Sequence, residues 1–160
     1  MIRGLDGNVG QTLGELASIP SIIYSPFVTA LTGGYDINRE PLANISGVAH
    51  ITGGGQPSKI GRLLSQTDGL GAVIDNPNPA PKIMQWTQQL RNFDDITAYE
   101  KWNMGTGMMI TTSEPNKVLK EARNFGIEAR QIGEITNSGK IVISSSGAET
   151  PCKTLEFKIA

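Results

Sequence analysis

The sequence predicts an α+β fold, a mixed β-sheet with flanking helices in a layered α/β arrangement. Three observations carry that prediction. Helical and strand periodicities alternate along the chain as α, β, α, β, α, β, α, β, β, which suits layered sheet and helices better than a barrel or a bundle. Nineteen glycines in 160 residues indicate tight turns and close backbone approaches. Apolar residues make up 38% and charged residues 18%, a balance that buries a core rather than leaving the chain disordered.

Taken in order, Gly4 to Gly10 reads as a link or turn and gives the start the look of something cut from a longer chain. Leu13, Leu16 and Ile19, then Ile23, Tyr24, Phe27, Val28 and Leu31, follow a helical spacing that Pro20 interrupts. This predicts a turn and then a helix from about Ser21, stopped by Gly33-Gly34. Ile45, Val48 and Ile51 alternate as a short strand, three glycines break it, and Ile60, Leu63 and Leu64 resume as a helix to about Gln66.

Gly69 to Asp75 is a second strand. Asn76 to Pro81 is a breaker run, and Pro81 to Arg91 is a helix with Pro81 in its first turn. Asp94 to Tyr99 is a helical turn or loop, in which Asp94-Asp95 reads as a solvated pair. Asn103 to Thr112 leads into a buried strand. Ser113 is the expected N-cap of a helix faced by Val118, Leu119, Ala122 and Phe125 and ended by Gly126. Glu128 to Thr136 and Lys140 to Ser145 read as strands joined in a hairpin by Asn137-Ser138-Gly139. Thr154 to Ile159 alternates as an edge strand. The expected organisation is one domain over 1–146 and a tail over 147–160.

Several functions are argued against by composition. A net charge of −1 gives no electrostatic case for nucleic acid or an anionic membrane, and no apolar run is long enough to span a bilayer. A single cysteine, Cys152, has no internal partner, which makes the cytoplasm the expected compartment. One histidine and one cysteine a hundred residues apart offer no ligand set for zinc, so no metal site is expected.

Chemistry concentrates at Thr52-Gly53-Gly54-Gly55. A strand, a glycine loop and a helix start can hold an anion, because glycines admit close approach and the first helical amides lack internal partners. The same pattern also serves a plain strand-to-helix turn. It is neither the Walker loop nor the dinucleotide fingerprint. His50 precedes the loop, a residue type that serves as a general acid–base or phosphate contact and equally as a structural residue at a strand end. Asn103-Met104-Gly105-Thr106-Gly107-Met108 directs a backbone amide and the Asn103 side chain toward a ligand, or forms a bulged strand. Trp86 and Trp102 read as core.

Together these pieces resemble the C-terminal domain of the aminoimidazole ribonucleotide synthetase (phosphoribosylformylglycinamidine cyclo-ligase) family. The likeness runs from Gly4-Leu5-Asp6 to Ser145 and is carried above all by Ala49-His50-Ile51-Thr52-Gly53-Gly54-Gly55 and Asn103-Met104-Gly105-Thr106-Gly107-Met108. Arg62, Ala72-Val73-Ile74, Trp86 and Ile132-Gly133-Glu134-Ile135 add to it. The resemblance implies a partly ferredoxin-like domain and a substrate or phosphate-binding role for His50, Thr52, Gly53, Gly54, Gly55 and Asn103. It also implies ATP and Mg as cofactors, mostly bound by an N-terminal half, and ATP-dependent ring closure of a phosphorylated ribonucleotide whose formyl amide oxygen leaves as phosphate. The implied partner is a chain carrying the N-terminal half, or a second copy. Departures occur at Ser21-Ile22, where the family has Thr-Arg, at Lys59-Ile60-Gly61-Arg62, where it has Asn-Leu/Ile-Pro-Arg, and at Trp102, where it has Phe. The expectation is a fragment or stand-alone homologue, inactive alone, with a non-catalytic phosphate-binding or interaction module as the rival.

Overall fold

A computed structural model describes residues 12–149 and 153–159, so the readings of Gly4 to Gly10 and of Cys152 lie outside the described residues. The elements run α1 (Leu13–Ala17), α2 (Ser25–Thr32), β1 (Ile45–His50), α3 (Gly55–Leu64), β2 (Gly71–Ile74) and α4 (Lys82–Arg91). Then follow α5 (Asp95–Lys101), β3 (Met108–Thr112), α6 (Pro115–Asn124), β4 (Glu134–Thr136), β5 (Lys140–Ser144) and β6 (Thr154–Lys158). The mixed α+β class holds, with flanking helices, but the strands form two sheets rather than one: a β1-β3 ribbon and a four-stranded sheet ordered β4-β2-β5-β6.

Prolines set two boundaries that periodicity misplaced. The helix expected from Ser21 starts at Ser25, because Pro26 is tolerated only in a first turn. Residues 19–24 are irregular and leave Ile19, Ile22 and Ile23 exposed. Ser113 is not the N-cap of α6. Glu114 is, at φ −124° and ψ 57°, because the residue before Pro115 is pushed out of the helical region. Thr112 Oγ1 takes over the local capping work, accepting from the Glu114 N–H at 2.9 Å and donating to the Asn44 carbonyl at 2.6 Å.

The predicted hairpin does not form. β4 and β5 flank β2, which pairs antiparallel with β4 and parallel with β5. Ala72 and Ile74 are buried, and so apolar a strand takes a central place with a partner on each edge. The Asn137-Ser138-Gly139 link has to cover two strand spacings, about 9.6 Å, which three residues can reach. It crosses the start of β2, where a Cβ on Gly71 would collide with Ser138 and the Lys140 backbone, and the Gly139 N–H reaches the Gly69 carbonyl at 3.2 Å. β6 is the edge strand expected from alternation, and its Leu155 and Phe157 enter the core beside Ile141 and Ile143.

The main core lies between the two sheets and α3, joining Ala49, Ile51 and Met109 to Ile60, Leu64, Ile74 and Tyr99. A smaller cluster, Phe27, Leu31, Val118 and Ala122, seats α2 on α6. Phe125, expected on the buried face of α6, is 42% exposed with its ring tilted against Phe27 at 5.7 Å. Trp102 packs at the core margin against Phe93.

Asp94 and Asp95 are not a solvated pair. Asp94 caps α5 through the Thr97 N–H at 2.7 Å, and those hydrogen bonds hold its carboxyl below the usual range. Asp95 is 0% exposed. It accepts from Gln88 Nε2 at 2.6 Å, Ser145 Oγ at 2.7 Å and the Glu149 N–H at 3.2 Å. Gly147 lies against the same carboxylate, where a Cβ would collide with it. The short polar run after β5 thus folds around one buried acid, which anchors the connection into β6. Asp95→Asn keeps the shape and removes an acceptor that buried donors need. The expected cost is about 2–3 kcal/mol of folding stability, read from urea unfolding midpoints, while Asp94→Asn costs under about 1 kcal/mol.

Candidate functional site at two glycine loops

β1 ends at His50 and delivers the chain into Thr52-Gly53-Gly54, after which α3 begins at Gly55. Gly54 at φ +91° and Gly55 at φ +62° make that reversal possible, since both occupy the left-handed region. Gly55 has a second reason to be glycine. Its Cα faces the carbonyls of Tyr99 and Trp102 at the end of α5, and a Cβ there would overlap the Tyr99 oxygen. Its N–H closes the turn onto the Thr52 carbonyl at 3.0 Å.

The second motif sits alongside the first. β1 and β3 pair antiparallel with His50 opposite Met108, and the Ile51 N–H continues the ladder to the Gly107 carbonyl at 2.9 Å. At the second residue of α3, the buried Gln56 donates from Nε2 to the Asn103 carbonyl at 2.8 Å. Two stretches about fifty residues apart in sequence therefore meet through a strand pair and one amide bond. The Oε1 of Gln56 has no partner among the described residues.

Within the second loop, Asn103 Oδ1 accepts from the Gly105 N–H at 3.0 Å, an Asx turn that stabilises Met104 and Gly105 at φ 47° and 87°. Gly105 lies tight on the Pro79 carbonyl, and Asn78 Nδ2 donates to Thr106 Oγ1 at 3.1 Å. The breaker run before α4 is thus a buttress for this loop.

The six predicted residues divide by position. Thr52 and Gly53 are exposed at the tip, and a Cβ on Gly53 would meet nothing within 4 Å. Gly54 is half-buried beside Ser58, and Gly55 is buried against α5. His50 is exposed, its ring edge-on to Tyr24 at 6.0 Å. Asn103 is held inward by its own turn. Tyr24, read from the sequence as a helical residue, and Gln56, which carried no expectation, are the residues the structure adds at this site. Tyr24 packs on Gly107, where a Cβ would strike its ring and hydroxyl, and burial pushes its phenol up. The pattern gave one available signal for Gln56, a polar residue between the third glycine and Pro57.

The tip can accept an anion. The backbone N–H groups of Gly53 and Gly54 make no hydrogen bond among the described residues, and they lie at the positive end of α3. Gly55 faces carbonyls, so the anion-accepting part is the tip rather than the third glycine. Of the departures, Lys59 is half-buried on α3 and Gly61 is buried at ordinary contact distance from Ile141, while Arg62, shared with the family, is exposed on the same helix. Among the described residues, no group of three or more His, Cys, Asp or Glu side chains is placed to hold a metal ion. No described helix is long and apolar enough to cross a membrane.

A family model described as AIR synthase related protein, C-terminal domain, matches residues 29–145. The phosphoribosylformylglycinamidine cyclo-ligase of Rippkaea orientalis is 35% identical over 143 residues, 86% of this chain and 38% of that protein. The chloroplastic cyclo-ligase of Arabidopsis thaliana is 32% identical over 130 residues, 79% of this chain and 31% of that one. The cyclo-ligase of Caldanaerobacter subterraneus is 35% identical over 131 residues, 80% of this chain and 36% of the relative. The chain thus spans under two fifths of the length of these curated relatives.

The two outer glycines separate packing from ligand access. Gly53→Ala is expected to change the thermal midpoint by no more than the equivalent of about 0.5 kcal/mol, whereas Gly55→Ala costs at least about 3 kcal/mol through steric overlap and a left-handed φ. Differential scanning fluorimetry on both variants checks this.

Proposed function

The chain belongs to the AIR synthase related family through its C-terminal domain, and from that premise we propose that it supplies the phosphate-holding part of a cyclo-ligase site. The supporting observation is the junction of the two loops, where β1, β3 and the Gln56–Asn103 bond set a glycine tip with unengaged amides beside His50. In this reading the N–H groups of Gly53 and Gly54 receive the phosphate of formylglycinamidine ribonucleotide. Thr52 and His50 flank it, and Asn103 fixes the adjoining wall.

The relatives' names describe them as cyclo-ligases of phosphoribosylformylglycinamidine, and in the proposed reading the ring closed is an imidazole. ATP, when bound, would supply the phosphoryl group that makes the formyl amide oxygen a phosphate leaving group, which an attacking substrate nitrogen would displace. The glycine tip fits a phosphate group. The described residues do not fit magnesium, because they offer no clustered carboxylates. The proposal therefore assigns Mg and most of the ATP contacts to the part of the relatives that this chain does not match, carried on a partner chain or a second copy. The domain is inactive alone, and the cytoplasm is its compartment, although the Arabidopsis relative is described as chloroplastic. The partly ferredoxin-like topology is likewise part of the proposal.

A second reading, a binding module without chemistry, is favoured by one observation. Ile22 stands where the family carries Arg, and it is half exposed near Tyr24 with no charge to offer a ligand.

Calorimetric titration with formylglycinamidine ribonucleotide and with ATP·Mg tests the proposal. The ribonucleotide should release heat, and Gly53→Val should weaken its affinity at least tenfold with the fold intact. Equal affinity in wild type and Gly53→Val, or no heat from the ribonucleotide, would defeat the phosphate-loop reading. Heat from ATP·Mg alone would support the module instead.

A further inference from the structure

Between the β1-β3 ribbon and the four-stranded sheet lies a cleft of about 640 Å³. One wall is β3, from Met108 to Thr112 residue by residue, and the other is the stretch from Ile127 to Ile135. Side chains alternate across a strand, so an unbroken run of lining residues means that backbone edges border the cleft. Both edges lack ladder partners on that side. Among the described residues β3 pairs only with β1, and β4 pairs only with β2.

The stretch before β4 was expected to be strand from Glu128, yet only Glu134–Thr136 is paired. The N–H groups of Glu128, Ala129 and Arg130 make no hydrogen bond among the described residues. The floor is apolar, with Ile60, Ile74 and Val118.

The walls are fixed rather than loose. Gly133 is pressed onto the Val73 carbonyl, where a Cβ would overlap it. The Asn76 N–H donates to the Ile132 carbonyl at 3.1 Å, its Nδ2 to the Gln131 carbonyl at 3.1 Å, and Arg130 donates to Asn76 Oδ1. On the other side β3 is held by its whole ladder to β1. Walls pinned this way resist collapsing onto each other, and two open backbone edges over an apolar floor suit a strand better than a compact ligand.

We infer that the cleft receives an extended polypeptide strand with alternating apolar residues, which hydrogen-bonds to both edges and joins the two sheets into one. The relatives are more than twice as long as the part matched here, and the strand comes from that unmatched part. It rests on the partner named in the proposed function, but it does not involve the glycine tip.

Overlapping synthetic peptides covering the unmatched part of the Rippkaea orientalis relative are titrated against the full chain, and amide hydrogen exchange is followed with the tightest binder. Exchange at Ala129, Arg130 and alternate amides of β3 should slow at least tenfold. Ala129→Pro deletes an N–H that the free protein does not use. It should weaken the peptide at least tenfold with an unchanged thermal midpoint. Failure of every peptide to bind, protection confined to other surfaces, or undiminished affinity in Ala129→Pro would each overturn the inference. Concentration-dependent protection of the same amides without peptide would overturn it in favour of a second copy as the occupant. None of these outcomes touches the ribonucleotide titration, which judges the glycine tip separately.

Discussion

The approach of Gly55 to the last carbonyls of α5 is the constraint on which the site depends. A helix that begins with its Cα against another helix's C-terminal oxygens permits no side chain there. Once that contact is made, Gln56 is carried into the interior, within reach of the Asn103 carbonyl, and the two loops share one support. Electrostatics act in the same sense. The positive start of α3 meets the negative end of α5 on its inner side, which leaves the outward-facing amides of Gly53 and Gly54 as the open end of that helix.

A second anchor lies behind this junction. Asp95 gathers donors from α4, from Ser145 and from the backbone of Glu149, and the same segment passes Ser146 to the Tyr99 hydroxyl and the Asn78 carbonyl. Asn78 in turn holds Thr106. A continuous set of hydrogen bonds therefore runs from the connection before β6 to the loop at Asn103. The stretch after Ser144 acts as a strut for the candidate site.

Much of the site was legible in the sequence for local reasons. Three successive glycines between an alternating run and a helical one announce a strand, turn and helix whatever surrounds them, and the two motifs carried the family. The burial of Asp95 was not legible. Two adjacent acids ordinarily face water, and the donors that justify burying one of them come from residues 7, 50 and 54 positions away. The hairpin misreading has a similar origin. Asn137-Ser138-Gly139 is good turn chemistry, but turn chemistry does not say whether another strand already occupies the space between the two arms.

By itself the sequence determined the α+β class, most helix and strand positions, and the two glycine-rich segments, because these follow from periodicity and from the steric rules of glycine and proline. Tertiary structure alone decided the split into two sheets, the insertion of β2 between β4 and β5, the burial of Asp95 and the meeting of Gln56 with Asn103. Each of these is a long-range pairing. Its free energy belongs to groups far apart along the chain, and no local pattern records which distant partner will arrive.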